Sequence, residues 1–127
     1  MLRECHRVLK PGGRLVVASI EMAVGLTEVE RLRAVELGPA DVGGEVSLRG
    51  LLERAGFRVD AERDVTSDFR DALERRLDAL RRHEAALRRS EGDGQVDEER
   101  DKRARMLVGV DEGLLCRTIV LGRSPGA

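Results

Sequence analysis

The period of apolar and polar positions changes several times along the chain, most sharply near its start. Leu2, Val8 and Leu9 mark one side of a short amphipathic segment, Lys10-Pro11-Gly12-Gly13 interrupts it, and Leu15-Val16-Val17-Ala18 is an unbroken apolar run. Pro11 lacks a backbone N–H and disfavours helical geometry at Lys10, while glycine takes positive φ at little cost. The pattern therefore predicts helix, tight turn and strand. An apolar run of this length between turn residues suits a strand buried on both faces, as parallel strands in α/β sheets are.

Further along, residues 21–26 read as loop. Thr27-Glu28-Val29-Glu30 forms a capping box for a helix over about 28–36 that stops at Gly38-Pro39. Residues 38–45 read as a second loop. Ser47 can cap a helix with Leu48, Leu51, Leu52 and Ala55 on one face, and Gly56 supplies its left-handed stop. Phe57 to Glu62 alternates with period two, the mark of an edge strand with one wet side. Between Ser67 and Ser90, Phe69, Leu73, Leu77, Leu80 and Leu87 recur at helical spacing. Gly92-Asp93-Gly94 then reads as a loop, and a helix over about 96–114 starts with Asp97-Glu98-Glu99 and carries Lys102, Arg103 and Arg105 further on, as the helix dipole favours. These two helices are predicted to form a charged antiparallel hairpin. Leu115 to Leu121 reads as a last strand, and residues 122–127 as a tail.

Three of these segments, taken in order, carry a family likeness. The phrase from Arg7 to Val17, the segment Leu51 to Val59, and Thr118 to Arg123 resemble, respectively, the approach to strand five, the helix before strand six, and the final strand of class I S-adenosylmethionine-dependent methyltransferases, most of all the small-molecule group called type 11. The resemblance implies an α/β fold in a single partial domain over 1–127. Its sheet would be a Rossmann-like methyltransferase sheet of three strands, mixed, in the order 5-7-6 with the final strand antiparallel between the other two, with flanking helices and a helical hairpin inserted over about 67–114. It also implies the activity, transfer of the methyl group of S-adenosylmethionine to an N, O or C atom of a small-molecule acceptor. In that family a glycine-rich turn after strand one and an acid ending strand two hold the cofactor, and both lie N-terminal to the part resembled here. No cofactor-binding residue is therefore assigned, and the chain is expected to be a truncated enzyme, inactive alone. Leu2-Arg3 joins a helix without a cap before it, which favours truncation. The alternative is a non-catalytic interaction module, or a half-enzyme completed by a separate N-terminal chain. The one Gly-x-Gly, at 92–94, follows arginines and glutamates instead of a strand, outside the context a nucleotide cradle needs.

Composition narrows the partners. The chain has 127 residues, 41% hydrophobic and 37% charged, with two Phe and neither Trp nor Tyr. Its core must be Leu, Val and Ala, and it has no aromatic platform for stacking bases. Net charge is −1. The arginine doublets at 75–76, 81–82 and 88–89 are answered by the acids of 91–101, so they read as a salt-bridged face and not as a nucleic-acid site. No apolar run approaches the roughly 20 residues of a membrane span and no signal peptide is legible, so a cytoplasmic protein is expected. Cys5, Cys116, His6 and His83 show no metal-ligand spacing.

Catalytic residues are not legible. Ser19, Ile20 and Glu21 end the first strand, and ligands of open α/β sheets bind beyond the carboxyl ends of strands, which makes these three the substrate-side candidates. The resemblance adds His83: helices inserted before the last strand can cover the acceptor pocket in such enzymes, where a histidine could act as base. Thr66 is a candidate cap for the long helix. If Leu15 to Ala18 lies at an unpaired edge, self-association through that edge is expected.

Overall fold

The computed structural model describes residues 2–39, 42 and 46–125. In chain order the elements are α1 (Leu2–Val8), β1 (Arg14–Met22), α2 (Glu28–Leu37), α3 (Leu48–Arg54), β2 (Arg58–Asp64), α4 (Thr66–Arg82), α5 (Glu84–Glu91), α6 (Asp93–Asp111) and β3 (Leu115–Arg123). The three strands form one sheet in the order β1-β3-β2. This is the expected 5-7-6 arrangement, with the last strand antiparallel between the other two as the resemblance implies. Only the label of a mixed sheet is corrected: both ladders are antiparallel, and β1 and β2, which run the same way, meet only through β3.

Local chemistry sets the element ends. Gly12 takes φ 78° after Pro11, and a Cβ on Gly13 would lie 2.8 Å from the Lys10 carbonyl oxygen. The turn is also stitched to the far end of β3: the Gly12 N–H donates to the Ser124 carbonyl at 3.0 Å and the Ser124 N–H to the Gly13 carbonyl at 2.8 Å. The predicted tail is thus partly wrong, because β3 continues to Arg123 and Ser124 is buried. Thr27 closes the expected capping box with Glu30. Ser47 caps α3 by accepting from the Gly50 N–H, and Gly56 follows with φ 96°. The loop expected over 38–45 falls partly outside the described residues; of those described, Val42 is buried.

Register divides the sheet into two unequal faces. Opposed residues of an antiparallel pair share a face. Val17 and Ser19 of β1, Val120 and Thr118 of β3, and Val59 of β2 lie on the face covered by α1 and α3, where Leu48, Leu52, Phe57 and Val120 form a closed cluster. The opposite face carries Ile20 and Met22, and with Leu115 they join Leu37, Leu73, Met106 and Val110 beneath α2, α4 and α6. A Cβ on Gly109 would come within 2.5 Å of Leu115 Cδ1, so α6 reaches β3 only because that position has no side chain. The helices cover only one end of this second face. Val16 is 62% exposed and Ala18 is exposed, which corrects the expectation of a strand buried on both sides. β2 is an edge strand as predicted, with an irregularity between Val59 and Ala61.

The hairpin forms from three helices. His83 interrupts the long amphipathic stretch, so α4 and α5 replace one continuous helix. The predicted 92–94 loop shrinks to Gly92 at φ 89°, with Asp93 and Gly94 already in α6. Arg70 pairs with Asp111 at the base of the hairpin, and Arg76 with Glu99 at 3.7 Å. Arg88 donates to Glu84, Asp93 and Asp97 at 2.7 to 3.2 Å, tying α5 to α6. These three carboxylates hold its guanidinium above the ordinary arginine range, and Arg88 in turn holds the Asp97 carboxyl below its own.

Candidate functional site

An open cleft of about 610 Å³ lies beyond the carboxyl end of β1. Ser19, Ile20, Glu21 and Met22 form its floor, Leu26 and Arg31 one side, and Val46, Ser47, Leu48 and Leu51 the other. The three residues expected from the strand end are therefore brought together. β1 positions them by pairing Ser19 with Thr118, Ile20 with Arg117 and Glu21 with Cys116, and the Ala23 N–H carries the same register one step further by donating to the Leu114 carbonyl at 2.9 Å.

Glu21 is the best-held polar group in the cleft. Its Oε2 accepts from the Leu48 N–H at 3.3 Å, at the start of α3, and its carbonyl accepts from Cys116 Sγ at 3.6 Å. Burial first, and then the nearby Glu21 and Asp64 carboxylates, push the Cys116 thiol above its ordinary pKa, so it stays protonated at neutral pH and is a poor nucleophile. At the exit of β2, Asp64 accepts from both the N–H and the hydroxyl of Thr66, at 2.8 and 2.5 Å. The Thr66 hydroxyl accepts in turn from the Arg117 N–H at 3.0 Å. These bonds lower the Asp64 carboxyl below its usual range. Thr66 is the first residue of α4 and Val65 its cap position, so this hydroxyl locks strand to helix and does not cap as expected.

His83 is not part of this site. It lines a separate depression of about 440 Å³ with Arg76, Leu80, Leu87 and Glu99, and no residue is common to the two. From Thr66 to Arg82, α4 has 17 residues, about 25 Å of helix at 1.5 Å per residue. No residue of α4, α5 or α6 lines the cleft, so the hairpin does not cover it as expected. Arg31 and Ser47 are cleft residues that sequence reading missed. Both sat inside recognised helix starts, and nothing local shows that two helix starts converge over one strand end.

Of the Gly-x-Gly at 92–94, Gly92 separates α5 from α6 and the other two residues open α6, so the motif follows a helix and not a strand. Among the described residues, no cluster of His, Cys, Asp and Glu is placed to hold a metal ion, and no helix is long and apolar enough to cross a membrane.

No protein-family model and no curated protein sequence matches the chain. Solved structures do. A sarcosine dimethylglycine methyltransferase from Galdieria sulphuraria superposes over 99% of this chain and 47% of its own, with TM-score 0.79 and 16% identity. Phosphoethanolamine N-methyltransferase 2 from Haemonchus contortus, solved with phosphomonomethylethanolamine and S-adenosylhomocysteine, superposes over 98% of this chain and 29% of its own at TM-score 0.73 and 13% identity. The (4+2)-cyclase SpnF matches over 99% of this chain and 43% of its own at TM-score 0.67 and 22% identity. This chain spans half or less of the length of each. Its fold is that of the C-terminal half of a class I S-adenosylmethionine-dependent methyltransferase.

Proposed function

We propose that this chain is the acceptor-side portion of an S-adenosylmethionine-dependent enzyme that methylates a small molecule. The observation that carries the reading is the reversed last strand. A β3 that inserts antiparallel between β1 and β2 belongs to a fold that superposes over nearly the whole chain on enzymes named for methyl transfer, and in this chain a cleft lies at the carboxyl end of β1. The cleft suits a small acceptor. Ile20, Met22, Leu26 and Val46 offer an apolar wall, and Ser19, Glu21, Arg31 and Ser47 offer a few polar groups for orientation. Methyl transfer asks mainly for proximity and alignment, so these residues have orienting work and need no nucleophile. In this reading His83 takes no part, because it lines a separate depression that has no residue in common with the cleft.

The residues of this chain do not, in this reading, by themselves hold S-adenosylmethionine: among the described residues the one Gly-x-Gly follows a helix and not a strand. In this reading the cofactor is held by further polypeptide pairing with β1, which among the described residues has only β3 beside it. That polypeptide is either part of a longer chain or a separate half-enzyme. Free thiols at Cys5 and Cys116 suit a reducing, cytoplasmic setting. Without its partner, β1 is an exposed edge, and the chain alone is expected to self-associate through Leu15 to Ala18.

Calorimetric titration of the purified chain with S-adenosylmethionine tests the division of labour. No heat of binding is expected. Saturable, tight binding would place the cofactor site within these residues and overturn the proposal. The cyclase among the structural neighbours supports one other reading, in which the same cleft orients a substrate for ring closure. Release of S-adenosylhomocysteine by the completed enzyme separates the two.

A further inference from the structure

The half-face of the sheet that no helix covers has a composition of its own. Register places Arg14, Val16 and Ala18 of β1 beside Arg123, Leu121 and Ile119 of β3, and Arg58, Ala61 and Arg63 of β2 beside Arg123, Leu121 and Ile119 from the other side. The centre is apolar: Val16 is 62% and Leu121 36% exposed, with exposed Ala18 and Ala61 and half-buried Ile119 between them. The fringe is basic. Arg14, Arg58 and Arg63 have no ion-pair partner among the described residues, and Arg123 is bridged to Asp60 at 3.1 Å. Asp60 is thus the one acid of β2 at this fringe, and it is taken up by Arg123; Glu62 and Asp64 share the opposite face with Val120 and Thr118, and Glu62 pairs there with Arg49 at 3.6 Å.

From this juxtaposition we infer that the half-face is a docking surface for an amphipathic helix with an apolar stripe and acidic flanks. The inference rests on the reading above, in that the helix belongs to the polypeptide that extends the sheet at β1. Three strands span about 10 Å at 4.8 Å spacing, the width of one helix. Helices α2, α4 and α6 already cover the adjoining end of the same face, so one more helix continues an existing layer. Charge selects its chemistry: Asp and Glu flanks would meet Arg14 on one side and Arg58 and Arg63 on the other. A second copy packed face to face would oppose two arginine fringes, and like charges so placed are repelled. A lipid surface would leave the backbone groups of the β1 edge without partners, and the patch has no aromatic anchor.

The test uses the 127-residue chain and a stapled synthetic helix of about five turns, with Leu and Ala on its stripe and Glu on both flanks. A twin peptide carries Lys at each Glu. Expected are amide shift changes confined to Val16, Ala18, Ala61, Ile119 and Leu121, and binding of the Glu helix at least tenfold tighter than the Lys twin. The double variant Arg14→Glu with Arg63→Glu lies on the surface, and its amide spectrum reports whether it is folded; it should reverse the preference. Equal affinity for the two helices, shifts mapping elsewhere, no binding of the Glu helix, or perturbation of the same residues by phosphatidylserine vesicles would each overturn the inference. The titration needs neither cofactor nor activity. Its failure beside an active completed enzyme would discard the acidic helix and keep methyl transfer, and a bound Glu helix beside an inactive one would do the reverse.

Discussion

The sheet region and the helical hairpin are held together by different physics. Under α1 and α3, Leu52 and Val120 have no exposed surface, and with Leu48 and Phe57 they close an apolar cluster. The hairpin buries little beyond Leu73, Leu80, Val96, Met106 and Val110, and laces its flanks with ion pairs, some exposed on both partners, as Asp78 with Arg81 and Arg82 and Asp97 with Arg100, and the rest at least partly open to water. Exposed pairs gain little in water and are screened by salt, whereas a buried leucine is worth about 1.5–3 kcal/mol relative to exposure. The sheet is therefore the stable part of the molecule and the hairpin the adjustable part.

The largest effect should come from the sheet. Leu52→Ala leaves a void among Leu48, Phe57 and Val120 and is expected to cost about 2–5 kcal/mol in urea unfolding. A cost near zero would mean that this cluster is not the core. The next tests the seam between the regions. Gly109→Ala places a methyl 2.5 Å from Leu115 Cδ1 and should destabilise by about 1–3 kcal/mol, although alanine alone favours a helix; a stabilised variant would show that α6 stands further from β3.

The smallest effect belongs to the hairpin and follows pH. Hydrogen bonds from Arg88 and Arg103 lower the Asp97 and Glu99 carboxyls in the folded state. A lowered folded pKa means that the contribution is fully present above the ordinary carboxylate range, roughly pH 4, and fades as pH falls through the depressed values. Hydrogen exchange should thus show α5 and α6 loosening in acid before β1 and β3 do. Simultaneous loss in both regions would erase the distinction drawn here.

How far the sequence foretold the structure follows the range of the interactions involved. The Thr27 box, the Ser47 cap, the Pro11 stop and the Gly56 turn depend on neighbours within a few residues, and all were legible. Ser19, Ile20 and Glu21 were legible as a strand end, but Arg31 and Ser47 became cleft residues only through the packing of α2 and α3 around that end. His83 carries no Gly or Pro signal, so the break between α4 and α5 was invisible. The run Leu15 to Ala18 misled in an informative way. It has the composition of a strand buried on both faces, yet half of one face is bare within the described residues. An apolar pattern records the environment a strand suits, and here that environment exceeds what the rest of the chain supplies.

That excess is the core of the account, and native mass spectrometry of the protein taken from its source cells tests it most directly. The account predicts that this sequence is found joined to, or in complex with, further polypeptide carrying a glycine-rich strand-turn-helix, at a mass well above 14.0 kDa. A lone 14.0 kDa monomer that stays soluble over a wide concentration range would contradict it.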